Sequence, residues 1–453
     1  MKYDAYVIGG GPAGTVCAGA LADGGLKVGL AERELVGGEC SYWACIPSKT
    51  LLRPGEAFEG ARHAPGAREA VTGSIDVAAA LEWRNFQVSD WSDEIPSEAG
   101  WLRDKGIDLH RGNARIEGPG RIVVGDEQVE TERIVLATGS DPIIPPVDGL
   151  KDVDYWTNRG ATGMKEVPES IIVLGGGPVG VELAQALRRF GAHVSIVEGN
   201  RLLAREGRGA ADAIGQQLES EGIALHIGVH AEHVSSNGGG ITVRLDDGAT
   251  VSAEKILVAT GRRPRVTGLG LETIGLDPDA RQVDVDEQLR TKADNVWAIG
   301  DATGIALFTH VGKYQARVAA GAILGKGSRA DYRALPRVTF TDPQVAGAGM
   351  TEDQAEEKGI ELAVGRAEIG GVARTSTYTR DYDKLPGFLT LLADRSRGVL
   401  VGAYAVGPEA GEWLQQATVA IRAEVPVDVL RDVIQPFPSF SEIFVNALAA
   451  LDV

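Results

Sequence analysis

"YVIGGGPAG" (residues 6–14) returns later in the chain as "IIVLGGGPVG" (171–180). Each is a β-branched apolar run, then Gly-x-Gly-x-x-Gly, then an Ala/Leu-rich helical stretch. The glycines are Gly9, Gly11 and Gly14 in the first copy, and Gly175, Gly177 and Gly180 in the second. A second apolar run follows each helix and ends on an acid: Glu32 in "KVGLAER" (27–33) and Glu198 in "HVSIVEG" (193–199). The pattern predicts strand–turn–helix–strand, twice. Such glycines let the backbone turn tightly and approach a pyrophosphate at the helix N-terminus, while the acid accepts hydrogen bonds from a ribose diol. A single glycine turn could serve conformation alone. Two turns, each with its acid at the expected distance, point to two dinucleotide-binding domains.

A second echo closes each half. "RIVLATGS" (133–140) and "KILVATGR" (255–262) read as buried strands ending in glycine turns, with Ala137, Thr138 and Gly139 in the first and Gly261 in the second. "NVWAIGDA" (295–302) then ends a strand at Gly300–Asp301, ahead of the helical "HVGKYQARVAAGAIL" (310–324). Asp301 is placed to bind a polyol or a phosphate-bearing cofactor; as an N-cap it would serve only the helix.

At 453 residues the chain predicts several domains. A net charge of −18 excludes nucleic-acid and anionic-membrane partners unless a basic patch intervenes, and the longest basic cluster, "GRRPR" (261–265), is too short to be one. No apolar run reaches membrane-spanning length, and "MKYDAYVIGGG" (1–11) enters a strand at once, so neither membrane insertion nor a leader is expected. Only three cysteines are present, which suggests the cytoplasm, where a structural disulfide is uncommon. Two of them, Cys40 and Cys45, share "GGECSYWACIPSK" (37–49) with Tyr42 and Trp43. A close pair in that compartment is a redox centre or part of a metal site. Zinc needs about four ligands, and no further Cys or His lies nearby except Cys17, in the first fingerprint helix, so no metal is expected.

The order of these motifs resembles the FAD-dependent pyridine nucleotide–disulfide oxidoreductases, among them dihydrolipoamide dehydrogenase, glutathione reductase and mercuric reductase. The resemblance covers nearly the whole chain, including "VTFTDPQVAGAG" (338–349) and "GPEAGEWLQQA" (407–417) in the tail. It implies an α/β fold with two Rossmann-like dinucleotide-binding domains, for FAD and NAD, and a C-terminal α+β dimerisation domain. The division would be an FAD domain over 1–149, an NAD domain over 150–266, a return to the FAD domain over 267–330, and an interface domain over 331–453 that pairs two subunits. Gly9, Gly11, Gly14 and Glu32 would then hold FAD, with Asp301 at the ribitol. Gly175, Gly177, Gly180 and Glu198 would hold NAD. Glu198 favours NADH, since a carboxylate repels a 2′-phosphate, although Arg201 lies close in sequence. Cys45 would face the flavin and Cys40 would meet the acceptor. Lys49 would sit by the flavin and pair with Glu182.

One departure stands out. Thiol–disulfide members of the family carry a C-terminal His-Pro, with Ser-Glu three and four residues after the Pro, and the partner subunit supplies that His as acid–base. Here "IQPFPSFSEIF" (434–444) puts Phe437 at the His position, ahead of Pro438, Ser441 and Glu442, and the last of seven histidines is His310. A lost general base typically costs about 10²–10⁴ in rate. Mercuric reductases also lack this His but carry a C-terminal cysteine pair, which "NALAALDV" (446–453) does not contain. The expectation is a homodimeric NADH-dependent flavoenzyme passing electrons through Cys40–Cys45 to a small-molecule acceptor. A quinone would fit if Tyr42, Trp43, Phe437 and Phe440 form an apolar wall there; those aromatics could equally pack the dimer interface. Two alternatives remain: a dihydrolipoamide or other disulfide reductase using another base such as Glu442, and a flavin-binding regulatory or electron-transfer protein with little turnover.

Overall fold

The apolar run ahead of each glycine turn forms the central strand of a five-stranded parallel sheet. In the first sheet the order is Val296–Ala298, Ile134–Leu136, Ala5–Ile8, Val28–Glu32, Asp108–Arg111. In the second it is Tyr155–Trp156, Lys255–Val258, Ser170–Leu174, His193–Glu198, Ala224–Ile227. The central strands are apolar without alternation because helices and loops bury both faces of such a sheet. Ala5–Ile8 and Ile134–Leu136 are buried at every residue. Helices Pro12–Asp23 and Pro178–Arg189 follow the turns, each opening on a proline whose missing N–H costs nothing at that position. Each half also carries a three-stranded antiparallel meander: Ala114–Gly118, Arg121–Val124 and Glu127–Thr131 in one, Ala231–Ser236, Ile241–Leu245 and Thr250–Ala253 in the other.

This computed structural model describes residues 1–94, 98–236, 238–378 and 387–453. They fall into two units: Met1–Pro47, Glu82–Ile143 and Gly261–Asp331, and then Ser48–Leu81, Ile144–Thr260 and Tyr332–Val453. The first holds the first parallel sheet, with Val7, Cys17, Leu21, Leu30, Val135 and Trp297 in its core. The second holds the other parallel sheet, and Leu51, Ala80 and Leu81 pack into that core with Ile171, Val181 and Leu187.

The second unit also contains an antiparallel sheet in the order Pro336–Thr339, Gln344–Gly349, Val399–Gly407, Phe388–Asp394, Leu362–Glu368. Helices Gln415–Ala423 and Ile443–Ala449 bury Ala417, Ile421, Phe444 and Leu448 with it. The fold class is the one predicted: two parallel dinucleotide folds and an α+β C-terminal segment. No described helix is long and apolar enough to cross a membrane.

Candidate active site

Each glycine of the first fingerprint has a separate steric reason. Gly9 has φ +113°, and a Cβ there would lie 2.2 Å from the carbonyl oxygen of Ala137. A Cβ on Gly14 would lie 1.9 Å from the Gly9 carbonyl oxygen. Gly11 differs: its Cβ would meet nothing within 4 Å, so its bare backbone borders open space at the helix start. Glu32 frames the turn, accepting from the Gly10 amide at Oε2 and from the Glu34 amide at Oε1, both at 2.8 Å. The second fingerprint repeats this. Gly175 (φ +112°) backs onto the Ala259 carbonyl, Gly180 onto the Gly175 carbonyl, and Gly177 opens outward. Glu198 accepts from the Gly176 amide at 2.6 Å and from the Asn200 amide at 2.8 Å. Both cradles therefore fit a dinucleotide: a helix N-terminus with an unobstructed backbone, and a fixed carboxylate beside it.

Asp301 lies within reach of the "ATGS" turn, where Gly139 adopts φ +75°. The Ser140 hydroxyl donates to Asp301 Oδ2 at 2.5 Å, and Arg262 Nε donates to Ser140 Oγ at 2.8 Å. Burial pushes the Asp301 carboxyl up, while Ser140 and Arg262 pull it down. A carboxylate kept this deep is suited to hydroxyl donors, as a ribitol chain would supply. Thr138 Oγ1 donates to the Arg265 carbonyl at 2.6 Å, and the Gly300 amide donates to Gln315 Oε1 at 2.6 Å.

Two positive-φ glycines, Gly37 and Gly38, turn the chain into the short helix Gly38–Tyr42. Cys40 lies on that helix, and Cys45 in the first turn of Cys45–His63. Cys45 Sγ lies 3.3 Å from Thr309 Oγ1, at the start of helix Thr309–Ile323. The Cys40 thiol is pushed up, first by its hydrogen bond with Cys45 and then by burial; Thr309 and Lys313 act in the opposite direction. Cys17, fully buried among apolar side chains, is pushed up to about 12 and is inert. One turn beyond Cys45, Lys49 Nζ lies 2.6 Å from Glu182 Oε2 and over the Phe340 ring at 4.7 Å. The Phe340 amide donates to Glu182 Oε1 at 2.8 Å, so this buried carboxylate is held on both oxygens. Among the described residues no cluster of His, Cys, Asp and Glu could hold a metal ion.

Residues 3–322 match the family model of the pyridine nucleotide-disulphide oxidoreductases, and residues 335–448 match the dimerisation domain of the same family. The chain belongs to this family. It is 32% identical to a dihydrolipoyl dehydrogenase of Halobacterium salinarum, over 98% of this chain and 95% of that protein. It is 35% identical to a mercuric reductase of Streptomyces lividans, over 97% and 94%. Among solved structures it is similar to Escherichia coli RclA, an HOCl-induced flavoprotein disulfide reductase captured as a Cu(II) complex (TM-score 0.87, 29% identity, 99% of both chains). It is also similar to LpdA from Mycobacterium tuberculosis (TM-score 0.86, 26% identity, 98% of this chain and 99% of that one). This pyridine nucleotide-disulphide oxidoreductase is thus an FAD-dependent enzyme.

The oxidoreductase's aromatics divide by burial. Tyr42 is buried and donates to the Ser92 carbonyl at 3.3 Å. Its ring lies 5.6 Å from that of the partly exposed Trp43. Phe440 is buried edge-on against Tyr378 at 5.1 Å, whereas Phe437 is 76% exposed. Glu442 faces its own backbone in a capping box, accepting from the Ser439 amide at 3.4 Å. Four contributors escape the motif reading: Ser140, Arg262, Thr309 and Lys313. The first two lie in the glycine turns already singled out. Thr309 and Lys313 open the helix after Asp301, and only that position could have flagged them.

Proposed function

We propose that this flavoenzyme oxidises NADH and delivers the electrons from Cys40–Cys45 to a small electrophilic acceptor that needs no protein acid. It would act as a homodimer in the cytoplasm, with the four-segment domain division given above. The observation that carries this reading is the juxtaposition of Cys40, Cys45 and Thr309, with Cys45 Sγ 3.3 Å from Thr309 Oγ1. When bound, FAD supplies two-electron exchange between a nicotinamide and a dithiol. The Cys45 sulfur would face it. Cys40 would attack the acceptor as thiolate, and Lys49 would present its ammonium beside the ring system, held by Glu182.

For the nicotinamide we favour NADH. Glu198 keeps its carboxylate at the fingerprint amides, where a 2′-phosphate would meet its charge. Arg201 turns its Nη2 to its own loop, donating to the Ala204 and Glu206 carbonyls at 2.9 and 2.8 Å.

The acceptor follows from Phe437. With no imidazole in the tail, a departing thiolate has no positioned acid, so lipoamide is a poor substrate. A quinone draws its protons from water and suits an exposed aromatic. Tyr42 and Phe440 are both buried, which leaves Trp43 and Phe437 for that contact. Glu442 is occupied by its capping role, which disfavours it as a substitute base. Steady-state NADH oxidation with quinones, lipoamide, other small disulfides and mercuric ion tests the reading. Quinone turnover exceeds lipoamide turnover at neutral pH, and Phe437→His raises disulfide turnover about tenfold while quinone turnover stays within about twofold. Rapid lipoamide turnover by the wild type overturns it; no turnover with any acceptor favours a regulatory flavoprotein.

A further inference from the structure

Helix Thr309–Ile323 starts at the thiol pair although it lies 264 residues beyond Cys45 in the chain. Thr309 hydrogen-bonds the sulfur of Cys45 at 3.3 Å and also bonds Cys40. Residues i and i+4 share a helix face, and helical side chains lean towards the N-terminus. Lys313 therefore stands one turn above Thr309 on the face that meets the sulfurs. The neighbouring Val311, Gly312, Gln315 and Ala316 are buried, while Lys313 is exposed.

An exposed lysine is most often only a solvated charge. Its place sets this one apart: it lies four residues after Thr309, whose Oγ1 is 3.3 Å from Cys45 Sγ, on the same helix face, and its charge acts in the direction that ionises Cys40. The need for such a charge is plain. Cys40 shares a hydrogen bond with Cys45 and is partly buried, and both effects oppose its thiolate. Glu39 is anionic and lies 3.7 Å from Arg262, and His310 stacks its ring on Phe308 at 5.2 Å.

We propose that Lys313 is the charge-compensating residue for the Cys40 thiolate, supplied within a chain whose tail lacks the acid–base histidine of the family's thiol–disulfide members. The proposal rests on the redox role of Cys40–Cys45. An ammonium compensates negative charge without exchanging a proton, so it helps Cys40 attack and leave but does not protonate a departing group. In the reaction, the Cys40 thiolate bonds to the electrophilic acceptor. The Cys45 thiolate then attacks Cys40 Sγ, closing the disulfide and expelling the acceptor with both electrons, and water supplies the acceptor's protons.

The test uses dithiothreitol-reduced holoenzyme in a Cys45→Ser background, freed of reductant and labelled with iodoacetamide from about pH 5 to about pH 9.5. Modification of Cys40 is followed by peptide mass spectrometry. Lys313→Met slows labelling of Cys40 about three- to tenfold at pH 7, and the difference vanishes at high pH, where the thiolate forms unaided. Lys313→Arg restores most of the rate. A Lys313→Met profile that matches the parent, or a Lys313→Arg variant as slow as Lys313→Met, overturns the proposal. Thiol counts on otherwise wild-type enzyme, before and after reduction, keep the two ideas apart. Two thiols gained on reduction with no Lys313 effect sinks only this inference; no gain sinks the redox pair itself.

Discussion

The two nucleotide-binding halves share a backbone plan down to single hydrogen bonds. Gly9 donates to the Ala31 carbonyl and Gly175 to the Val197 carbonyl, both at 2.9 Å. Gly37 N reaches the Gly10 carbonyl at 2.8 Å, and Leu203 N reaches the Gly176 carbonyl at 2.9 Å. They part company just after that last bond. In the first half the chain turns through Gly37 and Gly38 into the thiol segment. In the second it runs through Arg201 and Glu206 to the helix Arg208–Ser220. The contrast separates two jobs. Glycines and one carboxylate form a cradle that fits a dinucleotide in each half, whereas the thiol pair belongs to the segment spliced in behind the second strand of the first half alone.

The harshest way to break the comparison is a methyl group at the third glycine of each turn. Gly14→Ala and Gly180→Ala each drive a Cβ to about 2 Å from a backbone carbonyl that has no side-chain freedom to yield. Overpacking of this kind costs about 1–3 kcal/mol or more. Gly14→Ala is expected to purify without flavin absorbance. Gly180→Ala should stay yellow while its kcat/KM for NADH falls about tenfold to a hundredfold. Loss of flavin from both variants would show that the halves do not act independently.

A gentler probe removes only charge. Glu198→Gln lowers the NADH-over-NADPH ratio of kcat/KM by about tenfold, because the repulsion of a 2′-phosphate is gone. Glu32→Gln weakens FAD binding and leaves that ratio alone. Steady-state kinetics with both nicotinamides and a flavin titration read out the pair.

The smallest effect concerns Asp301, for which the second half has no carboxylate at the matching strand end, Tyr155–Trp156. Burial raises its pKa above the unfolded value, so the folded protein binds this proton more tightly than the unfolded chain does. Keeping the group ionised at neutral pH therefore costs stability, and the cost disappears as pH falls to the ordinary carboxylate range near pH 4. Flavin-free Asp301→Asn should melt a few degrees above flavin-free wild type at pH 7, with the gap closing towards pH 4. The same variant should bind FAD more weakly, and a lower melting temperature at pH 7 would contradict the sign.

Both halves were legible because their signals are local. Glycine spacing, strand composition and an acid at the strand end all lie within about thirty residues, the span of one strand–helix–strand unit. The thiol pair could be found for the same reason. Long-range neighbours left weaker traces. Thr309 comes to Cys45 across 264 positions, and nothing in "FTHVGK" says which face of its helix meets a sulfur. Aromatic character alone could not tell Phe437, which is exposed on the single chain, from Phe440, which fills a core three residues later.

The bond from Gly37 to Gly10 has a consequence for how such an enzyme can change. Gly38 lies so close that a Cβ on it would sit 3.0 Å from Gly11 Cα. The segment bearing the sulfurs is thus fastened to the first glycine turn by main-chain atoms. Side chains farther along it, Trp43 among them, can drift under mutation without dislodging that anchor. A lineage can in this way explore new acceptors through single substitutions, keeping the electron-carrying register of an ancestor while its clientele turns over.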